Sequence, residues 1–270
     1  MNGLRKFWVR AALLVSLLVP IYFLAAALGT RFGLLDWRVG FGALTYQWGP
    51  RVLMGAAGFA AIGLLLALVV PPFGRGWRMG LVALLIPAIG LGYGLYVRHS
   101  MAGVPPIHDI TTDLSDPPEF SERVVAARAS VPCGNGLELL TARVAEVADP
   151  ACALIPPGPP VVELHRAAYA DLTPIEMPAP PDQAYELALA VARAQGWTLG
   201  MQDKEAGRFE ATQRSFWYGF TDDIAVRVRP MHQGSVADVR SVSRVGISDM
   251  GANAKRIRAF TAALKTQAAG

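Results

Sequence analysis

The sequence predicts an integral membrane protein in which three hydrophobic spans precede a soluble α+β domain. Residues 11–28, 52–73 and 79–97 contain no Asp, Glu, Lys or Arg. Apolar runs of roughly 18 to 22 residues are long enough to cross a hydrocarbon layer of ~30 Å as helices. Beyond residue 98 the chain becomes polar and shows both helical and alternating periodicity. The predicted organisation is spans at about 8–28, 52–73 and 79–97, a linker at 99–118 and a soluble domain at 119–270.

The first span admits a second interpretation, a cleaved signal peptide. Arg5, Lys6 and Arg10 form a basic start, and residues 25–27 are three alanines that resemble a small-residue cleavage site. We favour a retained anchor, because the apolar run is long for a signal core and two further spans follow at once.

The basic character of the chain belongs to the flanks of the spans. Residues 1–97 hold eight Lys/Arg and one Asp, whereas residues 98–270 hold seventeen Lys/Arg and twenty Asp/Glu. A nucleic-acid-binding protein would concentrate positive charge on its soluble domain, so nucleic acid is not a predicted partner. Basic residues favour the cytoplasmic side of a span, and their distribution places the soluble domain on the other side. We therefore expect an inner-membrane protein with a periplasmic C-terminal domain.

Two cysteines, Cys133 and Cys152, lie in the part that is predicted to be exported. In an oxidising compartment a disulfide between them would close a loop of about 20 residues and stabilise the fold by roughly 3 kcal/mol. Two separate thiols are the alternative. No C-x-x-C motif is present, so neither a structural zinc nor another metal or cofactor is predicted.

Two features of the membrane part indicate how it is arranged. The connection between the first two spans, residues 29–50, is rich in Trp, Tyr and Phe, which favour the headgroup layer, so we expect it at the outer interface. Gly90 and Gly94 form a G-x-x-x-G pair in the third span. We expect this pair to pack inside the three-helix bundle, and dimerisation is the alternative.

The first part of the soluble domain shows weak signals. Asp116 and Pro117 are typical of the cap and first residue of a helix, which we expect to run to about residue 129. A short helical stretch is expected near 137–147. Residues 156–181 contain eight prolines and are predicted to be irregular coil.

The last ninety residues show the clearest periodicity. Asp182 is expected to cap a helix that ends at Gly196, and two hairpins follow at 197–213 and 221–245. An amphipathic helix at about 252–267 closes the chain. The predicted order is α-β-β-β-β-α, a four-stranded antiparallel sheet with both helices on one face.

Alternation along the last two strands predicts a face of opposite charges that points away from the helices. If Arg229 faces Val236, then Arg227 pairs with Asp238. Such arginines match anionic groups bidentately and favour an anion or carboxylate site. A solvated face with weak cross-strand ion pairs is the alternative, and the one we favour. The candidate residues on this face are Asp223, Arg227, Arg240 and Arg244.

The helix-facing side of the same strands carries Asp222 and Ser243. A buried carboxylate needs a partner, and we expect a serine hydroxyl or a backbone N–H to supply it. The turn after the last strand adds Ser248, Asp249 and Asn253 to the candidate ligand-binding residues. Ser248 or Asp249 is expected to cap the final helix, and an anion at that helix terminus is the alternative.

A serine hydrolase is an alternative function, with Ser243 or Ser248 as nucleophile and His165 as base. The turn reads G-x-S-x-x-G and not the G-x-S-x-G of a nucleophile elbow, so the motif gives this alternative little support. The four histidines show no metal-ligand spacing, and we expect them at the surface.

Several of these segments resemble one known family. The runs G-F-T-D-D-I-A-V-R-V-R-P (219–230) and R-S-V-S-R-V-G-I-S-D-M-G-A-N-A-K-R-I (240–257) resemble the domain of unknown function 1499 family. The pieces at 108–113, 116–120 and 166–174 are similar to it as well, so the resemblance covers about residues 105–268. It implies a bacterial domain of no assigned activity that is often joined to N-terminal membrane spans.

The predicted function is that of a non-enzymatic envelope protein whose exported domain binds a protein partner or a small anionic ligand. A structural accessory of a membrane complex is the third possibility. Hydrophobic composition alone predicts one partner, the lipid bilayer.

Overall fold

A computed structural model describes residues 2–137, 139–144 and 158–268. The chain divides into two compact units. One comprises Met1–Ala102 with Phe216–Gly219, and the other comprises Gly103–Ser215 with Phe220–Gly270. Each unit is described by itself below.

The first unit contains three long apolar helices, as predicted. They are α1 (Asn2–Arg31), α2 (Gly49–Val69) and α3 (Trp77–Ser100). Each is long and apolar enough to cross a membrane, by length and composition. The aromatic connection between α1 and α2 is a π-helix at Arg38–Trp48. These helices identify a membrane protein.

Small residues let the three helices approach closely. Ala12, Ala60 and Ala83 are fully buried together between them. A Cβ atom added at Gly90 would lie 2.6 Å from Leu53 Cδ2, whereas one added at Gly94 would meet no atom within 4 Å. Gly90 therefore packs inside the bundle, which supports the packing interpretation of the G-x-x-x-G pair.

The second unit contains a six-stranded antiparallel sheet, so the prediction of four strands was wrong. The four predicted strands are β3 (Thr198–Asp203), β4 (Arg208–Arg214), β5 (Thr221–Pro230) and β6 (Ser235–Ser243). They pair in sequence order, and Arg227 lies opposite Asp238, as the predicted register requires.

The two additional strands lie along one edge of β6. β1 (Asp109–Thr111) pairs with Arg240–Val242, and β2 (Ile175–Met177) pairs with Ser235–Ala237. β1 lies inside the predicted linker 99–118, so the sheet begins before residue 119. β2 and the helix α5 (Val161–Ala168) lie inside the segment that was predicted to be irregular coil. Each strand has only three residues, too few to produce an alternating pattern.

The hydrophobic core lies between the sheet and two helices, α6 (Pro181–Ala194) and α7 (Ala252–Ala268). Both helices pack on the same face, as predicted. Phe209, Ile224 and Val226 point to them from the strands and are fully buried. The Trp197 and Phe260 rings stack with their centroids 5.0 Å apart at this layer.

The opposite face of the sheet is covered by residues 113–137, which we call the cover segment. It contains α4 (Glu122–Ala129), which begins five residues later than Pro117, the predicted start. The backbone N–H and hydroxyl of Ser121 both donate to the Glu210 carboxylate on β4, which fixes the entry to α4. Of the helical stretch predicted at 137–147, residues 138 and 145–147 lie outside the described residues, and residues 139–141 form a turn.

Candidate functional site

The charged face of the sheet is buried, so the expectation of a solvated face was wrong. Asp223 and Asp238 are fully buried, and Arg240 is nearly so. The cover segment shields them from water and supplies partners of its own. Three ion-pair clusters result.

The first cluster is centred on Asp223. Its carboxylate accepts a hydrogen bond from Arg128 Nη1 at 2.7 Å and from Arg244 Nη2 at 2.7 Å. Arg128 lies on α4 and is buried, and it also donates to the carbonyl oxygens of Val242 and Ser243. Burial lowers the pKa of Arg128, while the Asp223 carboxylate opposes that shift. Asp223 thus neutralises a cation that could not otherwise be buried.

The second cluster joins Arg240 to Asp109 on β1. Arg240 donates bidentately to the Asp109 carboxylate, at 3.0 and 2.7 Å. It also donates to the carbonyl oxygen of Leu137 at 2.7 Å, and its guanidinium lies 5.6 Å from the Phe120 ring centre. Arg240 was expected on the same face as Asp223, and its carboxylate partner comes from a strand that the sequence did not reveal.

The third cluster surrounds Asp238. Its carboxylate accepts from Arg227 at 3.1 Å and from Arg229 at 2.7 Å. Arg227 also donates to Asp116 at 2.9 Å, and Arg229 donates to Asp113 at 3.3 Å. Arg229 is 40% exposed, so this cluster reaches the surface.

The arginines that were expected to bind an anion are therefore paired with carboxylates of the chain itself. Buried charges persist only when they are paired and hydrogen-bonded, and these meet that requirement internally. An external anion would have to displace Asp109, Asp223 or Asp238. The three clusters therefore hold the cover segment on the sheet.

The helix-facing candidates form a separate network on the other side of the sheet. Asp222 accepts from Arg256 Nη2 at 2.6 Å, so an arginine on α7 supplies the partner that was expected from a serine or the backbone. Asn253 donates to Ser243 Oγ at 3.0 Å and accepts from Ser241 Oγ at 2.7 Å. These contacts attach the start of α7 to β6.

The turn before α7 is closed by its own side chains. The Asp249 carboxylate accepts from the backbone N–H groups of Gly251 at 2.8 Å and Asn253 at 2.7 Å. Ser248 Oγ accepts from the Met250 N–H at 3.1 Å. Burial raises the pKa of Asp249, and the two N–H bonds oppose that shift. Asp249 is therefore the capping residue, in agreement with the favoured interpretation.

The structure does not bring the nine predicted site residues together. Asp223, Arg227, Arg240 and Arg244 lie on the covered face, and the others lie on the helix-facing side or in the turn before α7. Sequence reasoning missed Arg128, Asp109 and Arg256, each of which pairs with a distant residue and has no local pattern that would identify its partner.

A surface cleft lies where the chain after β1 passes α5. It has a volume of about 430 Å³, and its wall includes Leu114, Arg166, Tyr169, Leu172 and Pro174. Thr112, Asp113, Ser115, His165 and Ala170 complete the lining. Apolar side chains form much of the wall, while the exposed Arg166 contributes a positive charge.

His165 and Tyr169 bring polar atoms to this wall. His165 Nε2 accepts from the Thr111 N–H at 3.1 Å, so the proton of its neutral ring lies on Nδ1. Burial lowers the pKa of His165 and raises that of Tyr169 to about 12, so both side chains are neutral at pH 7. Within residues 2–137, 139–144 and 158–268, neither His165 Nδ1 nor the Tyr169 hydroxyl has a hydrogen-bond partner.

The histidine is buried, not at the surface as expected, and it does not serve the candidate serines. Ser243 Oγ bonds to Asn253 and Ser248 Oγ to a backbone N–H, and no hydrogen bond joins either serine to His165 among the described residues. A general base must reach hydrogen-bond range of its nucleophile. The geometry gives no support to the serine hydrolase alternative.

Cys133 lies in the cover segment with a φ of 53°. Cys152 falls in the stretch 145–157, outside the described residues, so the disulfide between them stays a prediction. No group of three or more His, Cys, Asp or Glu that could hold a metal ion occurs among the residues that the structure describes.

Fold and site together define a membrane protein in which three apolar helices precede an α+β domain with buried arginine–carboxylate clusters and a surface cleft beside α5. The family model described as "Protein of unknown function (DUF1499)" matches residues 109–264. That match covers more than half of the chain, and the chain belongs to this family. It begins at β1 and ends within α7. No curated protein matches the chain.

Proposed function

We propose that this protein is an inner-membrane envelope protein whose C-terminal domain lies in the periplasm and binds a small carboxylate that carries an apolar body. The observation that carries the proposal is the cleft beside α5. Its apolar wall, its neutral donor groups and its exposed arginine match the two halves of such a ligand. The ligand is anionic, as the sequence suggested, but different residues bind it.

The dimensions of the cleft support a small organic ligand. Binding sites for small molecules commonly measure about 300–1,000 Å³ and combine an apolar lining with a few polar groups that fix orientation. The cleft is at the lower end of that range, at about 430 Å³. Leu114, Leu172 and Pro174 would contact the apolar body of the ligand.

The polar groups of the cleft select an acceptor. His165 Nδ1 carries a proton and Tyr169 carries a hydroxyl, and neither hydrogen is used within the described parts of the chain. Both atoms are buried, so a ligand reaches them by shifting the Tyr169 ring, which meets His165 edge-on at 5.6 Å. Arg166 adds a positive charge at the rim. A carboxylate can accept from all three groups, and Asp113, the acidic residue of the lining, already pairs with Arg229.

The test uses benzoate and its neutral isostere benzamide with the full chain in lipid nanodiscs, followed by saturation-transfer NMR. We expect benzoate to bind more tightly than benzamide. Arg166→Gln should weaken benzoate by about two- to fivefold, the range of an exposed charge pair, and leave benzamide unchanged.

Two further variants locate the binding. Ala170→Trp should fill the cleft and abolish binding of both compounds. Arg193→Gln removes an exposed arginine on α6 and should change neither. Benzoate binding that survives Ala170→Trp, or that Arg193→Gln weakens as much as Arg166→Gln does, would contradict the proposal.

A further inference from the structure

The turn between β4 and β5 presents aromatic side chains to solvent. Its sequence, S-F-W-Y-G-F at 215–220, is unusually aromatic for a hairpin turn. Phe216 is 72% exposed and Trp217 is 53% exposed. Beyond residue 102, they are the only exposed aromatic residues in the part of the chain that the structure describes.

The turn is held in a defined conformation. The backbone N–H of Ser215 donates to the carbonyl of Phe220 at 2.8 Å, and the N–H of Phe220 donates back to Ser215 Oγ at 2.9 Å. Gly219 adopts a φ of +69°, which glycine reaches without strain. The exposure of the two rings is therefore a feature of a closed turn and does not result from an irregular backbone.

Exposed rings of this kind suit one environment in particular. Trp, Tyr and Phe favour the headgroup layer of a bilayer, where an apolar ring is buried and a polar edge stays hydrated. This chain carries its own bilayer contact in α1, α2 and α3. A partner for the two rings is thus available without a second protein.

The grouping of the turn residues points to the same environment. Residues 216–219 belong to the unit that contains the three spans. Within this unit the Tyr218 hydroxyl lies 2.8 Å from Thr45 Oγ, and its ring centre lies 5.1 Å from that of Phe41. Phe41 and Thr45 are part of the aromatic π-helix for which the sequence predicts a place at the outer interface.

We propose that Phe216 and Trp217 insert into the headgroup layer of the bilayer that α1, α2 and α3 cross, and that the β4–β5 turn is a further membrane contact of the protein. The π-helix supplies exposed aromatic side chains to the same layer, Tyr46 and Trp48, which are 75% and 54% exposed. The proposal is independent of the cleft and its ligand.

Fluorine NMR on the full chain tests this proposal directly. The protein is labelled with 5-fluorotryptophan and reconstituted in phosphatidylcholine nanodiscs, and Trp217→Phe and Trp197→Phe assign two resonances. Trp197 is buried in the protein core and serves as the internal control. Phosphatidylcholine with a nitroxide near the headgroup end of its acyl chain is then added.

The added lipid should broaden the Trp217 resonance several-fold more than the Trp197 resonance, because nitroxide relaxation falls steeply with distance. A water-soluble gadolinium chelate should broaden Trp217 less than it does in a urea-unfolded sample. If the nitroxide lipid broadens both resonances equally, or Trp197 more than Trp217, the turn does not enter the headgroup layer and the proposal is overturned.

Discussion

Replacing Asp223 with asparagine should destabilise the C-terminal domain strongly. Asp223 is fully buried, and its carboxylate receives Arg128 at 2.7 Å and Arg244 at 2.7 and 2.9 Å. The variant keeps the shape of the side chain but removes the only carboxylate that contacts Arg128 among the described residues. Breaking a buried pair by removal of one partner costs about 3–5 kcal/mol, because the other charge stays buried without compensation.

The two arginines should contribute unequally to that cost. The Arg244 side chain is 23% exposed and can recover water, whereas the Arg128 side chain is 3% exposed and cannot. The double variant Asp223→Asn with Arg128→Met removes the stranded cation. We therefore expect it to be more stable than Asp223→Asn alone. If the two residues stabilised the domain independently, the two losses of stability would instead add.

Urea unfolding of the full chain in mild detergent, followed by near-ultraviolet circular dichroism, measures these differences. Glu186→Gln is the matched control, because it breaks an ion pair with Lys204 in which both side chains are more than half exposed. That control should leave the unfolding midpoint unchanged. A loss for Asp223→Asn no larger than that of the control would refute the view that buried pairs hold the cover segment.

Three further predictions concern pH, a turn and the cysteines. Because burial lowers the pKa of His165, its contribution to the free energy of unfolding is present above its ordinary pKa of about 6.5. That contribution is lost as the pH falls, with a slope of up to ~1.4 kcal/mol per pH unit that His165→Gln should flatten in urea titrations. Gly234 has a φ of +97°, and an added Cβ would collide with the Met177 carbonyl oxygen. Gly234→Ala should therefore lower the free energy of unfolding by about 1–3 kcal/mol in the same assay. An unchanged midpoint would contradict this. If Cys133 and Cys152 are bonded, the intact mass of protein purified without reductant should rise by two hydrogens on reduction, and no change would show two thiols.

The long periodic elements of this protein could be predicted from its sequence. Three charge-free runs gave the three helices, and alternation in residues 221–245 gave the register that places Arg227 opposite Asp238. Asp222 was correctly placed on the helix-facing side. These features depend on repeated patterns over many residues, in which each side chain supports the same assignment.

The remaining features depend on contacts between distant residues. β1 and β2 gain their hydrogen bonds from the edge of β6, and three residues carry no alternation of their own. Arg128 pairs with Asp223 and Asp109 with Arg240 across long separations in sequence, so neither partner is marked locally. The cleft was missed for the same reason, because its wall joins residues 112–115 to residues 165–174.

The arrangement of β1 on β6 also has a consequence for the making of the protein. β1 follows α3 closely in the chain, whereas its partner strand ends at Ser243, so translation must pass β6 before Asp109 can pair opposite Val242. Until then β1 and the Asp109 carboxylate lack their partners on β6, and Arg128 lacks its partner until Asp223 on β5 has been made. A chain that stops short of β6 leaves the edge of β5 and the Asp109 carboxylate without their partners, and such a product is open to proteolysis.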